Sequence, residues 1–298
     1  MSDPLAQIIQ LLQPRAVVSK GISGAGRWAV RYSAFGHPGF CAVTSGRCRL
    51  AVEGEAPVTL EAGDFVLLPA TPAFAMSGFE PAPPAQMAPS TALDRPLRHG
   101  RQDGPPDVEQ LGGWFTFAAP EAALLVALLP RMIHVRGQPR LAQLVRLLGE
   151  EAAGEAMGRD LILERLVEIL LIEALRAAPA PDAAPGLLRG LADPRIAAAL
   201  RGIHGALDRP WTLPELARAA GLSRSAFFER FTRRVGLRPT EYVTGWRMAV
   251  ARSLLRGGGL SLDEVARRIG YGSASTFSTA FSRHVGQPPG RYMRGSAI

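Results

Sequence analysis

The sequence predicts an α+β chain of two domains: a β-barrel or sandwich carrying a C-terminal helical segment, followed by an all-α back third. Three observations lead there. Short apolar or alternating runs divided by turn residues fill the chain to about Phe117. From about Leu141 the apolar period becomes helical, with Leu141, Leu144, Val145 and Leu148 on one face. The charge then breaks: residues 1–195 hold 18 Arg+Lys against 20 Asp+Glu, and residues 196–298 hold 16 Arg against 6, a net of +10. At ~150 residues per domain, 298 residues also suggest about two.

The same composition excludes several classes. With 47% hydrophobic and 20% charged residues the chain can bury a core, so wholesale disorder is out. No apolar run approaches the ~18–20 residues of a membrane span, and Ala122–Leu129 stops at Pro130. MSDPLAQIIQ lacks a signal-peptide core, and two cysteines cannot staple a chain this long, so the cytoplasm is the expected compartment. A near-neutral front joined to a basic back assigns a polyanion partner to the back alone.

Strands are expected at Trp28–Tyr32, Phe40–Thr44, Cys48–Glu53, Val58–Glu61 and Phe65–Leu68, each bounded by glycine- or proline-bearing turns. Ser45-Gly46 reads as the two-residue turn of a tight hairpin. Seven prolines between Pro81 and Pro106 read as a long loop. Leu163, Leu166, Val167, Leu170, Leu171 and Leu175 continue the helical pattern, facing either the barrel or a second subunit. The Ala/Pro stretch 177–186 then marks a hinge. The expected domains are 1–178 (barrel about 1–117, helices about 140–177), a linker 179–193, and 194–298.

The back third contains one unit twice. Leu213/Leu262, Glu215/Glu264, Ala217/Ala266, Arg218/Arg267 and Gly221/Gly270 match at an offset of 49. Phe227/Phe277, Phe231/Phe281, Gly236/Gly286, Pro239/Pro289 and Tyr242/Tyr292 match at an offset of 50. Thr212 with Glu215 and Ser261 with Glu264 are capping boxes, each opening a short helix that a glycine turn ends. A second helix follows, with two phenylalanines one turn apart on its inner face. This is a helix-turn-helix, whose second helix enters a major groove.

The outward positions of those second helices are the candidate readers of double-stranded DNA: Arg224, Ser225, Phe228, Glu229 and Arg233 in the first copy, and Ala274, Ser275, Ser278, Thr279 and Arg283 in the second. Arginines hold phosphates while short polar side chains meet base edges. Arg230 and Arg234 are expected, with Arg224 and Arg233, to surround the outward face of the first copy's second helix and hold phosphates, and Thr232 is expected on that face. Phe228 either contacts a thymine methyl or leans on the neighbouring helix. Glu229 either accepts from a cytosine amino group or pairs with Arg233 at i+4. The helical run 240–256 between the copies spans about 24 Å at ~1.5 Å per residue, enough to set the two readers roughly one duplex turn apart.

Residues from about Pro194 to Met293 resemble the DNA-binding domain of the AraC/XylS family of bacterial transcription regulators. The resemblance rests on Gly270-Tyr271 followed by Ser275, Phe277, Phe281, Gly286, Pro289 and Tyr292. It implies promoter binding and activation through RNA polymerase. In front, Gly63-Asp64-Phe65-Val66-Leu67-Leu68-Pro69 resembles the second cupin motif, so the front domain looks like the cupin-type sensor many such regulators carry. The first cupin motif, a His-x-His pair, is absent. Phe74 lies where a final histidine would be expected, so no metal, cofactor or catalytic residue is expected. The alternatives are a metal-dependent cupin enzyme with a DNA-binding tail, and a redox sensor using Cys41 and Cys48. His37, Cys41, Cys48 and His99 would be a degenerate metal or redox site. In the hairpin register the two thiols sit diagonally, with Cβ atoms ~7 Å apart, too far for a disulfide. Trp28, Arg31, Phe40, Phe74 and Met76 are the candidate lining of a pocket for an unidentified small-molecule effector, with Arg31 orienting an anion. The helices at 140–177 are expected to form a homodimer.

Overall fold

The computed structural model describes residues 3–80, 82–88, 96–117, 122, 126, 129–178 and 185–295. The chain divides into two compact units: Gln13–Ala118 with Leu129–Pro179, and Met1–Leu12 with Ala119–Leu128 and Ala180–Ile298.

The β-rich unit is a curled sheet of ten strands. These are β1 (Pro14–Ala25), β2 (Ala29–Tyr32), β3 (Gly39–Val52), β4 (Val58–Glu61), β5 (Phe65–Leu68), β6 (Phe74–Ser77), β7 (Ala85–Met87), β8 (Leu97–Gly100), β9 (Val108–Phe117) and β10 (Ile133–Val135). The main path runs β7-β2-β6-β3-β9-β1-β8, with β4, β5 and β10 branching from it. Val43, Cys48, Leu50, Leu60, Val66 and Met76 form its core.

The expected hairpin at Ser45-Gly46 is not formed. β3 runs straight through it for 14 residues, with a register shift between Val43 and Ser45. Its first half pairs with β9 and β5, its second with β4 and β6. Gly46 is the bend, not a turn: it has φ +69°, and a Cβ there would lie 1.8 Å from the Asp107 carbonyl oxygen. The proline-rich loop also differs from expectation, since β7 and β8 lie within it. Each is an edge strand of three or four residues paired in parallel, to β2 and β1 respectively. Prolines remove ladder donors only at their own positions, so short edge pairings survive between them.

Two helices pack on the sheet, α2 (Pro139–Ala153) and α3 (Arg159–Ala177). Leu141, Leu144, Val145 and Leu148 of α2, and Leu163, Val167, Leu170, Leu171 and Leu175 of α3, are buried. Arg15 of β1 binds Glu164 of α3 at 2.6 Å.

The helical unit contains α1 (Pro4–Leu12), α4 (Leu187–Leu191), α5 (Pro194–Gly205), α6 (Leu213–Ala219), α7 (Arg224–Val235), α8 (Pro239–Gly257), α9 (Leu262–Arg268), α10 (Ala274–Val285) and α11 (Pro289–Gly295). Residues 187–191, expected as linker, are therefore helical and pack on α7; residues 179–184 lie outside the described residues. Residues 4–12, expected within the front domain, form a helix packed on α5 and α8. Its Ile8 and Leu12 are fully buried.

One contact of α1 makes this unit acid-sensitive. His204 of α5 lies 2.9 Å from Gln7 Oε1, 2.8 Å from the Tyr242 hydroxyl, and 4.2 Å between ring centroids from Trp246. Burial pushes its pKa down to about 3, against a small opposing pull from Asp3. An unfolded chain takes up this proton near pH 6.5, while the folded one excludes it, so protonation favours unfolding. Stability is accordingly full above pH 6.5 and falls by up to about 1.4 kcal/mol per unit below it. Urea titrations of the full chain should show this slope between pH 6.5 and 5, and His204→Gln should flatten it.

Candidate functional site

Each copy of the duplicated unit is built by the devices its sequence announces. The Thr212 hydroxyl accepts the Glu215 N–H while the Glu215 carboxylate accepts the Thr212 N–H at 2.9 Å. Ser261 and Glu264 repeat this at 3.2 and 2.8 Å. Gly221 (φ +61°) and Gly270 (φ +80°) make the turns, and a Cβ on Gly270 would lie 2.7 Å from the Asp208 carbonyl oxygen. Ser223 and Ser273 then cap α7 and α10 through the N–H groups of Ala226 and Thr276. Phe227 and Phe231, like Phe277 and Phe281, are fully buried. Phe231 meets the Tyr242 ring edge-on at 5.8 Å, and Phe281 meets Tyr292 at 5.5 Å. Both second helices are thus fixed from behind in the same way.

Their opposite faces are open. On α7, Arg224, Ser225, Phe228, Glu229 and Arg233 are all exposed. On α10, Ser275, Thr279 and Arg283 are exposed, while Ala274 and Ser278 are half-buried, so the second face is narrower. The Ala274 N–H donates to Asp263 of α9, and the Thr279 hydroxyl donates to the Ser275 carbonyl.

The arginines around α7 do two jobs. Arg230 and Arg234 reach Asp193 at 2.7 and 3.3 Å, and the same carboxylate caps α5 through the N–H groups of Arg195 and Ile196. They are struts rather than surface cations, contrary to the sequence expectation. Thr232, expected to face outward, is half-buried, with its hydroxyl oxygen covered. Glu229 and Arg233 form no ion pair with each other among the described residues, so both stay available. Arg267 and Arg268 of α9 are exposed as well; the repeat marks Arg267, but nothing in the helical period distinguished it from a solvated charge.

The β-rich unit holds a cavity of about 330 Å³. Trp28, Phe40, Phe74 and Met76 line it as expected from sequence. Arg31 does not: Val30 and Tyr32 take the inward positions of β2, which leaves Arg31 exposed. The cation on the wall is Lys20, the only lysine of the chain. It was missed because β1 lacks the clean alternation that reveals a strand.

The cysteines are unlinked. Burial pushes both thiols up, with the nearby Asp64 adding to it, Cys48 to about 12, and so both are protonated at neutral pH. The Cys41 thiol donates to Gln110 Oε1 at 3.3 Å. Nor do the residues suit a cupin metal. Cys41 and His99 are the cavity-lining side chains of ligand type, and no group of three His, Cys, Asp or Glu gathers among the described residues. His37 instead stacks on Trp114, and Asp64 of the cupin-like motif binds His134 at 2.9 Å. Among the described residues no helix is long and apolar enough to cross a membrane.

Known families agree with this geometry. Residues 3–180 match the model of the cupin family, and residues 216–295 match that of a helix-turn-helix domain. An AraC-like transcription regulator of Streptomyces lividans is 37% identical over 98% of both chains. One of Streptomyces antibioticus is 38% identical over 98% of both. The regulator AlkR of Acinetobacter baylyi is 32% identical over 58% of each chain. Two matched recognition helices, a cupin domain before them and relatives that align from end to end make this chain a DNA-binding transcription regulator belonging to the AraC family.

Proposed function

We propose that this regulator is a cytoplasmic homodimer that responds to a small-molecule effector, lays α7 and α10 into successive major grooves, and activates transcription through RNA polymerase. The carrying observation is the pair of helices braced alike from behind, with open polar faces flanked by Arg224, Arg233 and Arg283. In this reading those arginines hold phosphates, Ser225, Phe228 and Glu229 read bases, and Ala274, Ser275, Ser278 and Thr279 follow the backbone and groove shape. Phe228 is 39% exposed, which favours a thymine methyl over an intramolecular contact. Leu147, Leu161, Ile162 and Ile169 of α2 and α3, each at least 40% exposed, support a dimer through these helices. The cavity supports an effector. Activation rests on the family resemblance.

Arg233→Ala tests the phosphate assignment. It should weaken binding to all duplexes alike and reduce the slope of log K against log[salt] by about 0.9, the value of one phosphate contact. Ser225→Ala or Glu229→Ala should change sequence preference and leave that slope alone. Fluorescence anisotropy from 50 to 300 mM salt separates the two, and an unchanged slope in Arg233→Ala would refute the assignment.

A further inference from the structure

The cavity wall is apolar, except for a set of hydrogen-bond donors with few acceptors to match. Lys20 of β1 faces Gly112 of β9, which in turn faces Cys41 of β3. The glycine makes room there for the Ile22 side chain, whose Cδ1 would lie 3.0 Å from a Cβ at this position, so the wall between the lysine and the thiol is apolar. Among the described residues no acidic side chain lines the cavity, and Lys20 has no ion-pair partner. Two residues along β9, Trp114 also lines the cavity, and its indole N–H is buried without an acceptor. Gln110 spends its carbonyl oxygen on the Cys41 thiol. Thr71 spends its hydroxyl proton on backbone carbonyls of His37 and Leu68. Elsewhere on the wall, His99 stacks on Trp28 at 5.6 Å, and Tyr32 stacks on Phe74 at 4.8 Å.

The buried, orphaned Trp114 N–H is costly unless an acceptor arrives to meet it, and the half-buried Lys20 supplies a positive charge on the same wall. A neutral hydrocarbon would leave the N–H unsatisfied, and a cation would oppose Lys20. The complement is a compact molecule with a hydrocarbon body and one anionic, acceptor-only head.

Building on the proposed effector cavity, we infer that its ligand is an apolar organic monocarboxylate, its head group held by Lys20 and the Trp114 indole N–H and its body among Trp28, Tyr32, Phe40 and Phe74. His99 supports this from the side: burial, and secondarily Lys20, lower its pKa, which favours its neutral form and leaves Lys20 as the cation on the cavity wall among the described residues.

Isothermal titration of the full chain at pH 7 with 4-phenylbutanoate and decanoate, each beside its primary amide, tests the inference. The acids should bind at least about tenfold more tightly than the amides, the weight of one charge-assisted hydrogen bond. Lys20→Met should bring the ratio to about one, Lys20→Arg should restore most of it, and Trp114→Phe should weaken the acids several-fold. The comparison of acid with amide on the unaltered protein does not depend on any variant folding. Amides that bind as tightly as acids would overturn the anion assignment while leaving the effector cavity standing. No binding by acids or amides would overturn both.

Discussion

Truncating Phe281 to alanine should cost about 3–5 kcal/mol and abolish specific DNA binding. The side chain is fully buried, 5.5 Å from both the Phe277 and Tyr292 rings, in the core that holds α10 against α8, α9 and α11. Removing it deletes a ring's worth of buried area, leaves a cavity, and breaks two edge-to-face pairs each worth about 0.5–1.5 kcal/mol beyond area. A domain stable by only about 5–15 kcal/mol cannot lose this much without loosening the helix it presents. Phe281→Leu should recover roughly half. Urea unfolding of the full chain, followed by binding assays at the same temperature, checks both effects; a loss below about 1 kcal/mol would contradict the packing account.

Asp193→Ala is expected to have the next largest effect, about 2–4 kcal/mol. Its side chain is only 2% exposed, and it caps α5 while receiving Arg230 and Arg234 from α7. Burial alone would raise its pKa, but the Arg230 hydrogen bond and the N–H groups of Ile196 and Arg195 outweigh that and hold it below the usual aspartate value. The stabilisation is therefore present above the unfolded aspartate pKa near 4 and disappears as pH falls through the lower folded value. Both guanidinium groups are about a third exposed, so water screens part of the pairing and the upper end of the range is a ceiling. Asp193→Asn keeps a cap and should recover about 1 kcal/mol. DNA affinity should drop in Asp193→Ala with an unchanged salt slope, because no phosphate contact is lost. A reduced slope would make Arg230 and Arg234 phosphate ligands after all.

The helical unit was largely legible because its signals are local. Capping boxes, glycine turns and the Phe-x-x-x-Phe spacing each lie within a few residues, and the second copy repeats them. Its misplaced side chains were Thr232, which turns partly inward, and the two struts: Arg230 and Arg234 look like their neighbours until Asp193, 37 residues before Arg230, comes into contact. The β-rich unit was half legible. β4 and β5 fall where alternation and turns put them, but β3 was split because Ser-Gly is as suited to a bend as to a hairpin. β1 and β9, which supply Lys20 and Trp114 to the cavity, carry glycines and polar residues that break the period-two pattern. Strand pairing is non-local, so Arg31 and Lys20 could not be sorted inside from outside before the register was known. The first helix was missed for a related reason: its nine residues bury Ile8, Ile9 and Leu12 against helices from the far end of the chain.

Hydroxyl-radical footprinting on a duplex selected from a random library by the full-length protein tests the central claim most directly. Two protected tracts should appear on one face of the duplex, about 10 base pairs apart for each chain bound. Arg233→Ala should weaken the tract under α7, and Arg283→Ala the one under α10. A single tract per chain, or a library from which no sequence is enriched, would contradict it.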